Sequence, residues 1–481
     1  MSSLTSLPEE LLKVVMQHVP LQHRLRTCCL VSKKLQAAVA ATNDLELLLR
    51  SRPSHRKQRA EAGLGWVYHY GQQLTRLSLK LRYLSEPIQQ LPCQDLLELK
   101  LLECDVQLGA ANGFPGVIQG CSKLTRLELN CYLVDAPAGA VVDSLSNLVH
   151  LQHLHVVPRW NPTRGWADND VGGLSVATLP RLQHLTYLHV NSLSVENLLQ
   201  LSGFTNLQEL HLSAAGNLAV GPTKVPGLVF PASLHTLVML SPVEAGVLSL
   251  LSVGVKDLGI DCEVEGPGEG PDSFFSHLAG LNLTRLLLQH AHIIEWPPAC
   301  PAYSALTANS NLVVLEMYDA YLPPDIWPHV FAPSQQLPHL TSLVLFGTDA
   351  DDGLILPPLW CASDLSNIVR CCPSLCDVVT DCLEPGQHVS ELHKLTALTR
   401  LRLDYSRRGS VGNFDECVSG LAGVTKLKDV DVTVHTLDGT ADSLLPLTSL
   451  TALTSFTCDR GQEGPIKLRS STQVNTAIAC N

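Results

Sequence analysis

Three histidines, His155, His189 and His211, each stand four residues after a leucine that opens a hexamer of the form L-x-x-L-x-L: LQHLHV at 151–156, LTYLHV at 185–190 and LQELHL at 207–212. His153 and Tyr187 stand two residues after two of the same leucines. Imidazoles carried at one position of adjacent strands lie about 4.8 Å apart. At that distance they can share hydrogen bonds, titrate together near pH 6.5, or bind a metal. Tetrahedral zinc wants four converging ligands, and no acid or thiol is aligned with the three, so no metal is expected here. The expectation is a polar or acidic segment of a partner, gripped more tightly as the imidazoles take up protons near pH 6.5.

The elements that must carry these rings recur along the chain. LTRLEL at 124–129 returns as LTRLSL at 74–79, LTRLLL at 283–288 and LTRLRL at 398–403. Its last two leucines alternate with a polar position, which is the period of a strand with one buried face. With any aliphatic residue allowed, the pattern starts at Leu74, Leu96, Leu124, Leu151, Leu185, Leu207, Leu234, Val255, Leu283, Leu312, Leu340, Leu375, Leu398, Leu427 and Leu453. Fifteen starts spread over 379 residues give a mean spacing of about 27 residues. A period of that size marks a solenoid, in which each repeat is too small to fold alone and stacking buries the leucines of neighbours in one long core.

In such a strand the second, fourth and sixth residues after the start face outward. Most are polar, but Val238, Leu240, Leu287, Val314, Val344 and Phe346 are not. Bare apolar side chains in a patch mark a partner site. Together with the histidines they outline one candidate substrate-binding face: His155, Tyr187, His189, His211, Val238, Leu287, Val344 and Phe346. Loops from the long insertions at 151–185 and 340–375, which hold Trp160, Trp166 and Trp360, could instead cover the apolar part. Arg76, Lys80, Lys100 and Arg126 also face outward, but Glu98 and Glu128 stand among them, which argues against a polyanion pocket.

The repeats resemble the leucine-rich-repeat family over roughly the last 400 residues. The resemblance implies an α/β solenoid with a curved parallel sheet on its concave side and an irregular or helical convex side. The Asn or Cys that normally follows the strand is matched by Cys104, whereas Tyr132, Ala215 and Ala320 occupy that place elsewhere. Those turns must satisfy their backbone groups in another way.

Ahead of the repeats lies LPEELLKVVMQHVPLQHRLRTCCLVSKKLQAAV, residues 7–39. Pro8 with Glu9 and Glu10 suits a helix start, Leu11, Leu12, Val15 and Val19 make an apolar stripe, and Pro20 ends it. Further helices are expected at about 22–29 and 31–47. The segment resembles the F-box, through Leu7, Pro8, Glu10, Leu11, Val19, Pro20, Leu25, Leu30, Val31, Ser32 and Lys33; Leu35 stands where many F-boxes have Trp. The resemblance implies docking onto the Skp adaptor of a cullin-RING ubiquitin ligase through Leu7, Pro8, Leu11, Val19, Pro20, Leu25, Val31 and Lys33. A helical cap closing the open end of the solenoid is the plainer alternative.

The organisation expected is thus a three-helix domain at 1–46, a basic linker or cap at 47–70, an array of about fifteen irregular repeats at 71–465, and a tail at 466–481. The linker carries Arg50, Arg52, Arg56, Lys57 and Arg59, either a solvated helix or a nuclear localisation signal.

Bulk properties narrow the function. A net charge of -12 gives no global positive field for nucleic acid or an anionic membrane. The acids of MSSLTSLPEELL do not suit a secretion signal, so the cytoplasm, the nucleus or both are expected, with the sixteen cysteines as free thiols. Cys361, Cys371, Cys372, Cys376 and Cys382 lack the spacing of a zinc knuckle. GTDADDG at 347–353 breaks the order of an EF-hand loop, and EGPGEGPD at 265–272 has no Lys-Ser/Thr pair for phosphate. No nucleophile and base are brought together by the strands, so no enzyme and no cofactor are expected. The reading is a non-catalytic adaptor, binding the Skp adaptor and a cullin through the F-box and an unidentified protein substrate through the repeats. Its alternatives are an interaction scaffold with no ligase attached and a small-molecule co-receptor.

Overall fold

In the computed structural model, the described part of residues 1–73 comprises Pro8, the strand at 44–47 and isolated positions between 65 and 71. From 74 to 459 it takes in the strand and the preceding turn of every repeat, and it then resumes at 466–468. Most connecting segments lie outside it, the longer ones at 81–90, 108–117, 135–144, 158–181, 213–225, 262–274, 291–300, 348–359, 405–413 and 434–446.

The chain divides into two compact units, Met1–Gly216 with Gly227–Leu234, and Asn217–Pro226 with His235–Asn481. Unit 1 holds β1 (Asp44–Leu47), β2 (Arg76–Lys80), β3 (Glu98–Gln107), β4 (Arg126–Val134), β5 (His153–Val156), β6 (Tyr187–Val190) and β7 (Glu209–Leu212). Each pairs in parallel with the next along the chain. Unit 2 holds β8 (Thr236–Pro242), β9 (Asp257–Asp261), β10 (Arg285–Gln289), β11 (Val314–Tyr318), β12 (Ser342–Leu345), β13 (Asp377–Thr380), β14 (Arg400–Asp404), β15 (Asp429–Thr433), β16 (Ser455–Asp459) and β17 (Ile466–Leu468). β8 to β16 also run parallel in chain order, and β17 closes the unit antiparallel to β16.

Every strand from β2 to β16 begins two residues after one of the fifteen starts, including the degenerate LCDVVT and LTSFTC. The register keeps equivalent positions level, so that Leu127, Leu154, Leu188 and Leu210 form one buried row. The starting residues and the leucines three and five places later are almost wholly buried, as in Leu185, Leu188 and Val190. Each such side chain stabilises the fold by about 2 kcal/mol. Two backbone features repeat with them. The N–H of a starting leucine donates to the carbonyl three residues earlier, as Leu124 does to Cys121 at 3.1 Å and Leu398 to Leu395 at 3.0 Å. In most repeats that earlier residue is also apolar and buried, for example Cys93, Cys121, Leu148, Leu182 and Leu450, whereas Ser252 and Asn309 take the place before Val255 and Leu312.

The threonine of LTRL has its own function. Thr125 Oγ1 donates to the carbonyl of Leu97 in the preceding repeat at 3.0 Å, Thr186 to Gln152 at 3.1 Å, Thr399 to Cys376 at 3.2 Å and Thr454 to Lys428 at 2.9 Å. The same carbonyls accept two backbone N–H groups each, as that of Leu97 does from Thr125 and Arg126. The hexamer therefore encodes both the buried row and a polar seam between repeats.

Two expectations are corrected here. The helix expected at about 31–47 does not include its last four residues, because residues 44–47 are β1 in register with β2. Asp44, Leu45, Glu46 and Leu47 repeat the strand pattern, but Thr42 stands where the later strands have an aliphatic start. The expected tail likewise contributes β17 to the sheet. On the other side of unit 2, α1 (Trp327–Val330), α2 (Ala362–Cys371) and α3 (Phe414–Leu421) join short 3-10 turns. The N–H of Cys361 donates to Asp364 at 2.9 Å to start α2, and Leu365, Ile368 and Cys371 turn its buried face inward.

Candidate functional site

The outward positions of unit 1 form two columns, fixed by the strand register. The column two residues after the starts reads Arg76, Glu98, Arg126, His153, Tyr187, Glu209; the column four residues after reads Ser78, Lys100, Glu128, His155, His189, His211. The predicted histidines and Tyr187 do stand together, each half-buried. His153 and Tyr187 stack with centroids 3.9 Å apart and planes within 10°. His155 meets His189 edge-on at 4.3 Å, and His211 lies 5.3 Å from both His189 and Tyr187. The Tyr187 hydroxyl is 3.5 Å from Nδ1 of His189. Much of the ring surface is thus spent on neighbouring rings.

The charged residues beside them are matched among themselves. Glu98 lies within 3.6 Å of Arg76, 3.2 Å of Lys100 and 3.3 Å of Arg126, while Glu128 lies 3.7 Å from Lys100 and 3.8 Å from Arg126. Among the described residues of these columns that network leaves no basic pocket for a polyanion. At the other end Glu209 is 3.9 Å from Nε2 of His211.

The expected charging near pH 6.5 is corrected by this packing. Burial lowers His153 to about 4, with Arg126, His155 and Lys100 adding to the shift and Glu98 opposing it. Burial and the neighbouring His155, His211 and His153 lower His189 to about 4. His155 is lowered as well, mainly by burial. At neutral pH these three present hydrogen-bonding edges without charge, which removes the basis for grip rising through pH 6.5. Among the described residues no group of three His, Cys, Asp or Glu side chains is set to hold a metal ion.

The apolar candidates belong to unit 2 and prove less bare than their sequence positions suggest. Val238 and Leu287 lean over Gly259, where an added Cβ would meet their methyl groups at 3.2 and 3.3 Å. Val344 is buried, Leu240 and Val314 are half-buried, and Phe346 lies against Tyr318 with centroids 6.0 Å apart. Glu316 stands between Leu287 and Val344 in the register and receives Arg285 at 2.7 Å, so the apolar row is interrupted by an ion pair. Further along, Arg400 faces Asp377 at 3.3 Å and Arg402 faces Asp431 at 3.6 Å.

Of the other candidates, Trp360 roofs the core: it is buried and meets Trp327 edge-on at 6.0 Å. Trp160 and Trp166 lie outside the described residues. Cys371 and Cys372 are buried free thiols, Cys361 is exposed, and Cys382 lies outside the description. Burial and Cys371 push Cys372 well above the usual thiol range. Pro8 is exposed, whereas Leu7, Leu11, Val19, Pro20, Leu25, Val31 and Lys33 lie outside the described residues.

Sequence reasoning missed the groups that finish the turns in unit 2. His290 and Asp319 adopt positive φ of 47° and 50° at the ends of β10 and β11. Nδ1 of His290 lies 2.9 Å from Oδ2 of the buried Asp261, and its Nε2 lies 3.9 Å from Oδ2 of Asp319. Buried Asp381 accepts the Gly347 N–H at 2.9 Å. Carboxylates thus serve some of the turns that lack the family's Asn or Cys. The signal was in the sequence, as an acid six residues after Val255 and Leu375, but it does not follow the family pattern.

No helix among the described residues is long and apolar enough to cross a membrane. No curated protein matches the chain by sequence. Among solved structures, an internalin from Listeria monocytogenes is 16% identical over 84% of this chain and 94% of its own, with a TM-score of 0.40. A leucine-rich-repeat protein from Leptospira interrogans is 15% identical over 88% and 85%, with a TM-score of 0.37. Both likenesses are loose, and the repeat architecture rests on the strand register. The family model for the F-box domain matches residues 4–44. With that match ahead of strands of the L-x-x-L-x-L pattern in both units, the chain carries an F-box domain followed by leucine-rich repeats.

Proposed function

We propose that this protein is a substrate-recognition adaptor of an SCF-type cullin-RING ubiquitin ligase: its F-box docks on the Skp adaptor, and the open faces of its repeat strands hold a protein substrate. The observation that carries the reading is the F-box match at residues 4–44 directly ahead of the repeats. The protein performs no chemistry in this account. It raises the effective concentration of a substrate beside a charged ubiquitin carrier, turning a rare collision into an intramolecular encounter. In unit 1 the candidate substrate positions are His155, Tyr187, His189 and His211, which offer polar edges; in unit 2 they are Val238, Leu287, Val344 and Phe346, which offer apolar ones.

The test is a pull-down of purified Skp adaptor by the full chain. Wild type should capture the adaptor at micromolar concentration, and Leu7→Ala with Pro8→Ala should lower capture at least tenfold while the circular dichroism of the repeats is unchanged, because anchor residues dominate such interfaces. A folded wild type that ignores the adaptor would leave the amino-terminal segment as a cap and the repeats as a scaffold with no ligase.

A further inference from the structure

The ring cluster of unit 1 does more than furnish polar edges. Four imidazoles and one phenol from three adjacent strands are packed at centroid separations of 3.9 to 5.3 Å. The groups facing them are known from each described neighbour within the unit. β3 contributes Glu98 and Lys100, β4 contributes Arg126 and Glu128, and β7 contributes Glu209 beside His211. Glu98 and Glu128 are engaged by Arg76, Lys100 and Arg126 and only partly offset the lowering of His153 and His155, while Glu209 lies 3.9 Å from Nε2 of His211. Protonating His189 places an imidazolium beside His211, and protonating His153 or His155 places one next to Arg126, on a surface only half open to water.

We propose that this cluster is an acid-sensitive joint: protonating its histidines loosens β5 to β7, and with them the open face of unit 1, under conditions that leave unit 2 folded. The proposal does not depend on the ligase reading, since it concerns the stability of the sheet itself. The sign follows from proton counting. The depressed values of His153 and His189 mean that between about pH 6.5 and 4 these two sites bind more protons in the unfolded chain than in the folded one. Stability is therefore full above the unfolded histidine value and is lost as pH falls through that window. Unit 2 has no comparable stack of histidines among its described residues; its His290 lies instead between two carboxylates. A partner resting on unit 1 would be released on acidification as its platform opened.

Hydrogen exchange on the full-length protein at pH 7, 6, 5 and 4.5, corrected for the intrinsic rate, tests this. Peptides covering β5 to β7 should lose protection about tenfold or more, relative to those covering β10 to β14, between pH 7 and 5. His153→Gln with His189→Gln should remove that difference. Ring-proton NMR titration of the wild type supplies the second readout, with at least two histidines titrating below pH 5.5. Equal loss of protection in the two units, or four cluster histidines titrating at pH 6 or above, would overturn the proposal.

Discussion

The two units use one strand pattern to build different open faces. In unit 1 the outward columns hold rings and a closed network of ion pairs, and side chains meet across strands by stacking. In unit 2 the corresponding positions hold Val238, Leu287 and Val344, interrupted by the Arg285–Glu316 pair, and side chains meet by leaning over a glycine. The difference teaches that an outward position on a parallel sheet is not a bare one. Strands about 4.8 Å apart let each outward side chain use its neighbours before it meets a partner. Rings in that arrangement lose their ordinary proton affinity, and apolar groups lose much of their exposure.

The largest way to break the comparison is through the core of unit 2. Trp360→Ala would leave a cavity against Trp327 and should lower stability by about 3–5 kcal/mol, read by denaturant unfolding, with protection lost first in unit 2. A smaller effect tests the leaning side chains. Gly259→Val places branched carbons where Val238 and Leu287 already approach and should cost about 1–3 kcal/mol, whereas Gly259→Ala should cost less because the tips of both neighbours can swing aside. A folded Gly259→Val protein of unchanged stability would mean that the apolar row is open after all. The smallest effect concerns the seam. Thr186→Val deletes the bond to the Gln152 carbonyl and should cost about 1 kcal/mol or less, because that carbonyl keeps the backbone N–H groups of Thr186 and Tyr187.

The sequence made the strands legible because burying a leucine at positions one, four and six of each repeat leaves no other register. Even LCDVVT and LTSFTC, poor copies, start β13 and β16 where the spacing puts them. It did not reveal β1, whose start is Thr42, or the seam formed by the threonines, since neither is an apolar signal. The site was half legible. Which residues face outward follows from alternation, so His155, His189 and His211 were placed correctly in one column. What they do to one another depends on distances and burial that alternation does not contain, and this reversed the expected response to acid. Asp261, His290 and Asp381 were overlooked because pins of this kind depend on a turn conformation and not on a repeat position.

Whether the chain couples a ligase to a substrate is tested by affinity purification of the tagged full-length protein from native extract. The account predicts that Skp adaptor and cullin co-purify with wild type in comparable amounts and are lost together from the folded Leu7→Ala, Pro8→Ala protein. Recovery of a well-folded wild type without either subunit would contradict it.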